Sequence, residues 1–402
     1  MKFTNKSNIA FAYLSFLISP IFSLGFAFQN YKQVWAKNIV WAFIAFYAYH
    51  FVPPNESSDI WGYIGRFEEY GGENYKITDF ILSLYSQGSS TLDVVEPLVS
   101  YLLSQISNNY KVLLLAYGII FGYFYSRNIW FFLDQFKGRI KIQTIFILLL
   151  FFVTIGIWNL NGFRFWCAAH IFIFGAYNFL ILKKNKGVYF LLLAVLTHIG
   201  LLLPVAMVLF FRFIKKIPIQ TLFIGFLFTF FFAELNLESV RNLVTNYSPG
   251  FLQGKLTAYT SEAYVEVVNQ RAMRNTIFNV VSKYIRTLMV LFFIVVLYLN
   301  RERLKSINLY YLFGFTLFLG IISNFMSQMP SGVRYLNISD FLLYGTFLCF
   351  VQNNTRYTFD KLLFILLPLV LFYVIYNFRI IGMYTFSIHH FINNPIVSLF
   401  IN

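Results

Sequence analysis

Charge is what this sequence has least of. Among 402 residues only 16 are Asp or Glu and 31 are Lys or Arg, so charged residues make up 12% of the chain, about half the share of an ordinary soluble domain. So few charges cannot coat a globular surface in water. With 58% hydrophobic residues and a mean hydropathy of +0.65, the chain reads as an all-α polytopic membrane protein. Cysteine is scarce too: Cys167 and Cys349 are the only two, both inside apolar runs without a spacing partner, which argues against a disulfide framework or a zinc site. The sequence also lacks a nucleotide-binding glycine loop, an internal repeat, a low-complexity segment and any basic RNA-binding motif. Its net charge of +15 therefore points to membrane topology and not to nucleic acid, and no cofactor is called for.

Apolar runs are abundant instead. Spans are predicted at residues 9–28, 36–52, 111–133, 142–158, 163–182, 188–211, 219–233, 284–300, 307–328, 335–352 and 362–379, at lengths suited to membrane helices. Residues 9–28 lack a small-residue cleavage site and read as a retained helix. Residues 1–402 thus form a single transmembrane domain of about 11–12 helices. Two stretches, 53–110 and 234–282, gather the polar, glycine and acidic residues that the spans exclude. They are expected to be extramembrane loops, and loops of more than about 15 residues are usually functional.

Six short basic loops set the orientation: Lys32/Lys37, Lys137/Arg139/Lys141, Lys183/Lys184/Lys186, Arg212/Lys215/Lys216, Arg301/Arg303/Lys305 and Arg356/Lys361. The positive-inside rule places all six in the cytoplasm. That works only if residues 188–211 start and finish on one side. As a single helix this segment would be about 36 Å long, enough to cross, but a crossing would carry two basic clusters outside. Thr197, Gly200 and Pro204 supply a break, and broken helices are tolerated where they line a cavity. A re-entrant pair with His198 near its apex is therefore expected. Lys2 and Lys6 are discordant, since this topology leaves them outside.

Both long loops then face outward, together with Asp59, Glu96, Arg164 and Arg334. Ionisable groups at membrane depth are expensive and usually functional, although Arg164 can simply snorkel to headgroups and His198 can be a hydrogen-bonded packing residue. Asp59 and Tyr63 are four apart and share a helical face; Asp59 as a helix N-cap is the plainer reading. Glu96 precedes Pro97 at a helix start, where an acid complements the helix dipole. Glu68, Glu69 and Glu73 read as a solvated face. Arg334 and Tyr335 follow a Pro-Ser-Gly turn as Arg164 follows Asn161-Gly162, and the planar fork of arginine suits a phosphate or pyrophosphate. Trp61, Tyr63, Trp158 and Tyr335 can stack on sugars or bracket a lipid tail.

Asp59 and Tyr63 in the first outer loop, Glu96-Pro97-Leu98, Arg164 opening a helix, the run from Lys183 to His198 and the late Arg334 together resemble the EpsG-type exopolysaccharide polymerases, which are similar to the Wzy class of O-antigen polymerases. The resemblance spans residues of about 30 to 350. It implies a GT-C-like architecture in the bacterial cytoplasmic (inner) membrane with a periplasmic active site and two larger periplasmic loops. It also implies a glycosyltransferase that joins undecaprenyl-pyrophosphate-linked oligosaccharide repeat units and releases undecaprenyl pyrophosphate, with a flippase and a chain-length regulator as partners. Asp59 or Glu96 would serve as base, with Glu96 favoured for its rigid placement; Arg164 and Arg334, aided by His198, would hold phosphates. No metal is implied. The alternatives are another lipid-linked-sugar glycosyltransferase, an O-antigen ligase, or a polysaccharide flippase or secondary transporter. Transporters call for paired broken helices and intramembrane acids, whereas one broken segment and no mid-span acid are read here.

Overall fold

A computed structural model describes residues 5–56, 58–72, 75–85, 93–213, 217–232, 246, 277–329, 331–354 and 357–398. Its helices are α1 (Asn5–Ile18), α2 (Pro20–Gln29), α3 (Ala36–Tyr49), α4 (Asp59–Tyr70), α5 (Ile77–Tyr85), α6 (Val95–Ser104), α7 (Tyr110–Leu133), α8 (Ile142–Thr154), α9 (Phe163–Leu180), α10 (Gly187–Thr197), α11 (Leu202–Phe213) and α12 (Ile219–Phe232). The series continues with α13 (Ile277–Leu299), α14 (Arg301–Ser306), α15 (Tyr310–Met326), α16 (Val333–Asn353), α17 (Tyr357–Asn377), α18 (His389–Ile392) and α19 (Pro395–Ser398), and no strand occurs among the described residues. Four stretches, Tyr110–Leu133, Ile142–Leu180, Ile277–Leu299 and Leu363–Thr385, are long and apolar enough to cross a membrane. The chain is an α-helical membrane protein.

Helix packing relies on glycine where backbones come closest, as expected where lipid removes the usual hydrophobic drive between helices. A Cβ on Gly118 of α7 would collide with the Ala48 side chain and lie 2.9 Å from the Ile44 carbonyl oxygen of α3. At the α9–α10 seam, a Cβ on Gly187 would lie 2.6 Å from the Phe179 nitrogen. Without side chains at these points, α3 and α7, and α9 and α10, lie in direct contact.

Side-chain bonds tie the basic loops together at one end of the bundle. Gln352 of α16 donates to the Lys137 and Arg139 carbonyls at 2.8 and 2.9 Å and accepts from Thr144 at 2.8 Å. Arg303 donates to Asn354 Oδ1 at 2.7 Å, Trp130 donates to the Tyr31 carbonyl beside Lys32 at 2.9 Å, and Lys184 N–H donates to the Asn178 carbonyl at 2.9 Å. Arg212 lies over the Phe179 ring, 5.3 Å from its centroid. Five of the six basic clusters are thereby represented at this basic end, while Lys215, Lys216 and Arg356 lie outside the described residues.

The segment 188–211 is broken where the sequence indicates. His198 is extended (φ −155°, ψ 117°) between α10 and a short 3-10 turn, Ile199–Leu201, that leads into α11. Gly187 begins α10 against Phe179 and Arg212 ends α11 over the same ring, so the chain leaves and regains the basic end, with His198 at the far end against Phe165.

Two expectations need correction. Residues 9–28 are not one helix. Ser19 caps α2 and Pro20 opens it, which lets the chain fold back so that Ser23 donates to the Ala12 carbonyl at 2.9 Å and the Phe11 and Phe26 rings meet at 5.2 Å. This hairpin starts α1 near the end where α2 finishes, and Lys2 lies outside the described residues. Residues 53–110, expected as an extramembrane loop, contain α4, α5 and α6, in line with the helical face read for Asp59 and Tyr63 and the helix start read at Glu96. Finally, Asp340 of α16 is a mid-span acid, buried and paired with Arg286 of α13 at 2.6 Å. The expected second outer loop, 234–282, lies outside the described residues except for Asn246 and the start of α13.

Candidate functional site at the N-terminus of α9

The end opposite the basic loops is organised by the first turn of α9. A 3-10 turn, Ile157–Gly162, delivers the chain to Phe163, whose ring stacks on Tyr117 of α7 at 3.9 Å. That anchor fixes the next two residues, Arg164 and Phe165, at the centre of the site.

Helix α4 lies across this turn. Asp59, Tyr63, Arg66 and Tyr70 recur at i, i+4, i+7 and i+11, one helical face, and Tyr63 is buried at 3% exposure. The Arg66 and Arg164 guanidinium groups both lie over its ring, 5.2 and 5.6 Å from the centroid. Burial pushes the Tyr63 hydroxyl up to about 12, so it stays protonated at neutral pH. Asp59 is the first residue of α4 and Ser58 holds the cap position, so Asp59 is not the N-cap. Its carboxylate is exposed and faces Gly162, with Oδ2 3.6 Å from where a Cβ would stand.

Helix α6 and the chain leading into it supply two buried carboxylates. Glu96 is fully buried; it binds Arg66 Nη2 at 2.6 Å and accepts from Ser100 at 3.0 Å and Tyr117 at 2.9 Å. Asp93, buried at 2% exposure, pairs with Arg164 Nη1 at 3.3 Å while its other oxygen accepts the Ile199 N–H at 3.0 Å. The neighbouring Val94 N–H donates to the Leu196 carbonyl at 2.9 Å. Asp93 and Val94 therefore sew the 53–110 segment to the apex of the α10–α11 hairpin.

At that apex His198 Nδ1 accepts the Gly200 N–H at 3.0 Å, which puts the imidazole proton on Nε2 in the neutral ring. Tyr335 donates to the Gly200 carbonyl at 2.8 Å. Phe165 touches His198 and Tyr335 edge-on at 5.2 and 6.0 Å, and Arg334 lies over its ring at 5.3 Å.

All seven predicted residues, Asp59, Tyr63, Glu96, Arg164, His198, Arg334 and Tyr335, thus meet around α9, although their roles divide. Glu96, favoured as base from sequence, has its oxygens engaged by Arg66, Ser100 and Tyr117 and serves to hold α4, α6 and α7 together. Arg66 and Asp93 were missed; the heptad-like spacing from Asp59 to Arg66 and the i, i+3 spacing of Asp93 and Glu96 are the signals that could have found them. Three carboxylates and three guanidinium groups gather here, and two pairs consume four of them. Asp59 and Arg334 are left outside these ion pairs among the described residues. No group of three or more metal-ligating side chains occurs among those residues. Comparison with known proteins finds no matching family model, no matching curated protein and no matching solved structure.

Proposed function

We propose that the chain is a membrane glycosyltransferase that polymerises undecaprenyl-pyrophosphate-linked repeat units on the outer face of a bacterial cytoplasmic membrane. The observation carrying this reading is the exposed Asp59 and the carboxylate-free Arg334 beside a rigid lattice of acid–arginine pairs, at the end of the bundle away from the basic loops. In the proposed reaction Asp59 takes the proton of the acceptor sugar hydroxyl. The hydroxyl oxygen bonds to the anomeric carbon of the growing glycan, the bond from that carbon to the diphosphate oxygen breaks, and undecaprenyl pyrophosphate leaves. Arg334, with Arg164 beside it, neutralises charge developing on the departing diphosphate, while Tyr63 and His198 supply hydroxyl and imidazole donors and Tyr335, bonded to the Gly200 carbonyl, holds the hairpin apex in place. A GT-C-like arrangement belongs to this reading, as do the flippase and chain-length regulator as working partners.

Purified protein in nanodiscs, given a synthetic undecaprenyl-pyrophosphate-linked oligosaccharide, should release undecaprenyl pyrophosphate and build a ladder of lengthening glycans. Intact substrate after prolonged incubation would remove the reading. One observation favours a second: the buried Arg286–Asp340 pair is the kind of intramembrane charge that transporters use. Uptake of an oligosaccharide or ion by proteoliposomes, without polymerisation, would place the chain in that class.

A further inference from the structure

Helix α6 is turned the wrong way round for water. Its polar residues Glu96, Ser100 and Ser104 are buried, and Glu96 and Ser100 bond inward to Tyr117 of α7 at 2.9 Å each. Its outward face is aliphatic: Leu98 and Leu102 are 40% and 53% exposed, and Val95, Val99 and Leu103 are half-buried beside them. The two sets occupy separate faces at the helical period. Its neighbour α4 has the ordinary polarity, with Ile60, Ile64 and Phe67 buried and Gly65, Glu68 and Glu69 exposed. A helix at a water surface buries its apolar face and shows its polar one, so α4 meets water while α6 meets an apolar medium.

The position of α6 identifies that medium. The Val94 N–H at its start donates to the Leu196 carbonyl in the last turn of α10 at 2.9 Å. From there α6 rises beside α7, from Glu96 opposite Tyr117 to Ser104 near the turn that leads into Tyr110, and so continues outward from where α10 stops. The two helices have 11 and 10 residues, which add to about 32 Å at 1.5 Å per residue, against about 30 Å for the hydrocarbon core of a bilayer. Helix α10 also bares an apolar face, Tyr189, Leu192 and Leu196. The joint is sealed within the protein, as a helix break at membrane depth must be. Besides the Val94–Leu196 bond, Asp93 accepts the Ile199 N–H at 3.0 Å, His198 Nδ1 accepts the Gly200 N–H at 3.0 Å and Tyr335 donates to the Gly200 carbonyl at 2.8 Å.

We propose that α6 is a half-helix set in the leaflet opposite the basic loops, that with α10 it completes one composite membrane span, and that lipid acyl chains cover its Leu98–Leu102 face. The α9 site then lies inside that leaflet. Tyr117, which bonds Glu96 and stacks on Phe163, is seven residues below the top of α7 at Tyr110, or about 10 Å. A recess at that depth, walled from lipid by one helix and open to water along α4, suits a substrate whose polar group hangs from an apolar anchor. The placement of α6 does not depend on the polymerase reading, and its failure would leave that reading to its own test.

Depth-dependent fluorescence quenching tests the placement. In the full chain with Cys167 and Cys349 replaced by alanine, single cysteines Leu98→Cys, Leu102→Cys and Glu69→Cys carry an NBD fluorophore in phosphatidylcholine vesicles. The Leu98 and Leu102 positions should be quenched by nitroxides on the lipid acyl chains and spared by aqueous iodide, with Leu98 favouring the nitroxide nearer the bilayer centre; Glu69 should show the reverse. Iodide quenching at Leu98 and Leu102 without nitroxide quenching would overturn the proposal by putting this face in water. Quenching by neither would overturn it as well, since another protein surface would then cover the face. A second measurement needs no label. Leu98→Asp should lower abundance in membranes about tenfold, as a carboxylate forced into lipid is costly, whereas Gly65→Asp on α4, where a Cβ meets nothing within 4 Å, should leave it unchanged. Both variants at wild-type abundance would again overturn the proposal.

Discussion

Side chains of similar type carry different duties here, and burial separates them. Glu96 is enclosed by Arg66, Ser100 and Tyr117, while Asp59 is exposed at the head of α4. Asp59→Asn should therefore abolish glycan elongation at normal membrane abundance. Glu96→Gln should instead lower abundance, because it leaves Arg66 without its counter-charge at a cost of about 2 kcal/mol. Immunoblots of membranes alongside gels of surface glycan distinguish these outcomes, and a full ladder from Asp59→Asn would leave the base unassigned. Arg334 lends itself to a sharper comparison. A snorkelling anchor needs only a long cationic side chain, whereas a phosphate clamp needs the planar fork. Arg334→Lys should slow elongation about a hundredfold, or about 3 kcal/mol, and leave carriers with one or very few repeat units.

Among the elements, the breaks carry more information than the helices. The long runs were legible because apolar stretches of membrane length admit few alternatives, and His198 was placed at the hairpin apex because Thr197, Gly200 and Pro204 announce a break. The fold-back at Ser19–Pro20 was not read, since the run of apolar residues on both sides looks the same whether or not it turns. Asp340 escaped notice for a related reason: one acid in a span barely lowers the average that defines the span, and its partner Arg286 lies 54 positions earlier. The site itself was half legible. Residues near helix starts, such as Arg164 and Arg334, stood out, but which acid is buried depends on how α4 and α6 pack, and that packing is tertiary. Gly187 shows how tightly the elements are set. Gly187→Val would drive a branched side chain into the Phe179 backbone, at about 3 kcal/mol of overpacking, and part α10 from α9. Thermal unfolding of the purified variant should shift downward and glycan elongation should fall with it; an unchanged melting profile would mean that α10 can slide along α9 without loss.

At the scale of the molecule the decisive property is polarity from end to end. Gln352, Asn354, Phe179 and Trp130 bind the basic loops at one end, and the acid–arginine lattice occupies the other. The positive-inside rule would make the first end the cytoplasmic one, because translocating clustered Lys and Arg is disfavoured. The α10–α11 hairpin makes this arrangement consistent, since a straight crossing there would invert every later helix. In a chain whose two cysteines are replaced, single cysteines at Asn185, Ile217 and Lys305 should resist an impermeant thiol reagent in intact cells and react once the membrane is permeabilised. A cysteine at Trp61, exposed on α4 beside Asp59, should react in intact cells. The pair Asn185 and Ile217 is the critical comparison, because these residues bracket the hairpin. If Ile217 labels from outside while Asn185 does not, the segment crosses the membrane, and Arg334 and Arg164 could not then share one face of it as their common contact with Phe165 and its neighbours demands.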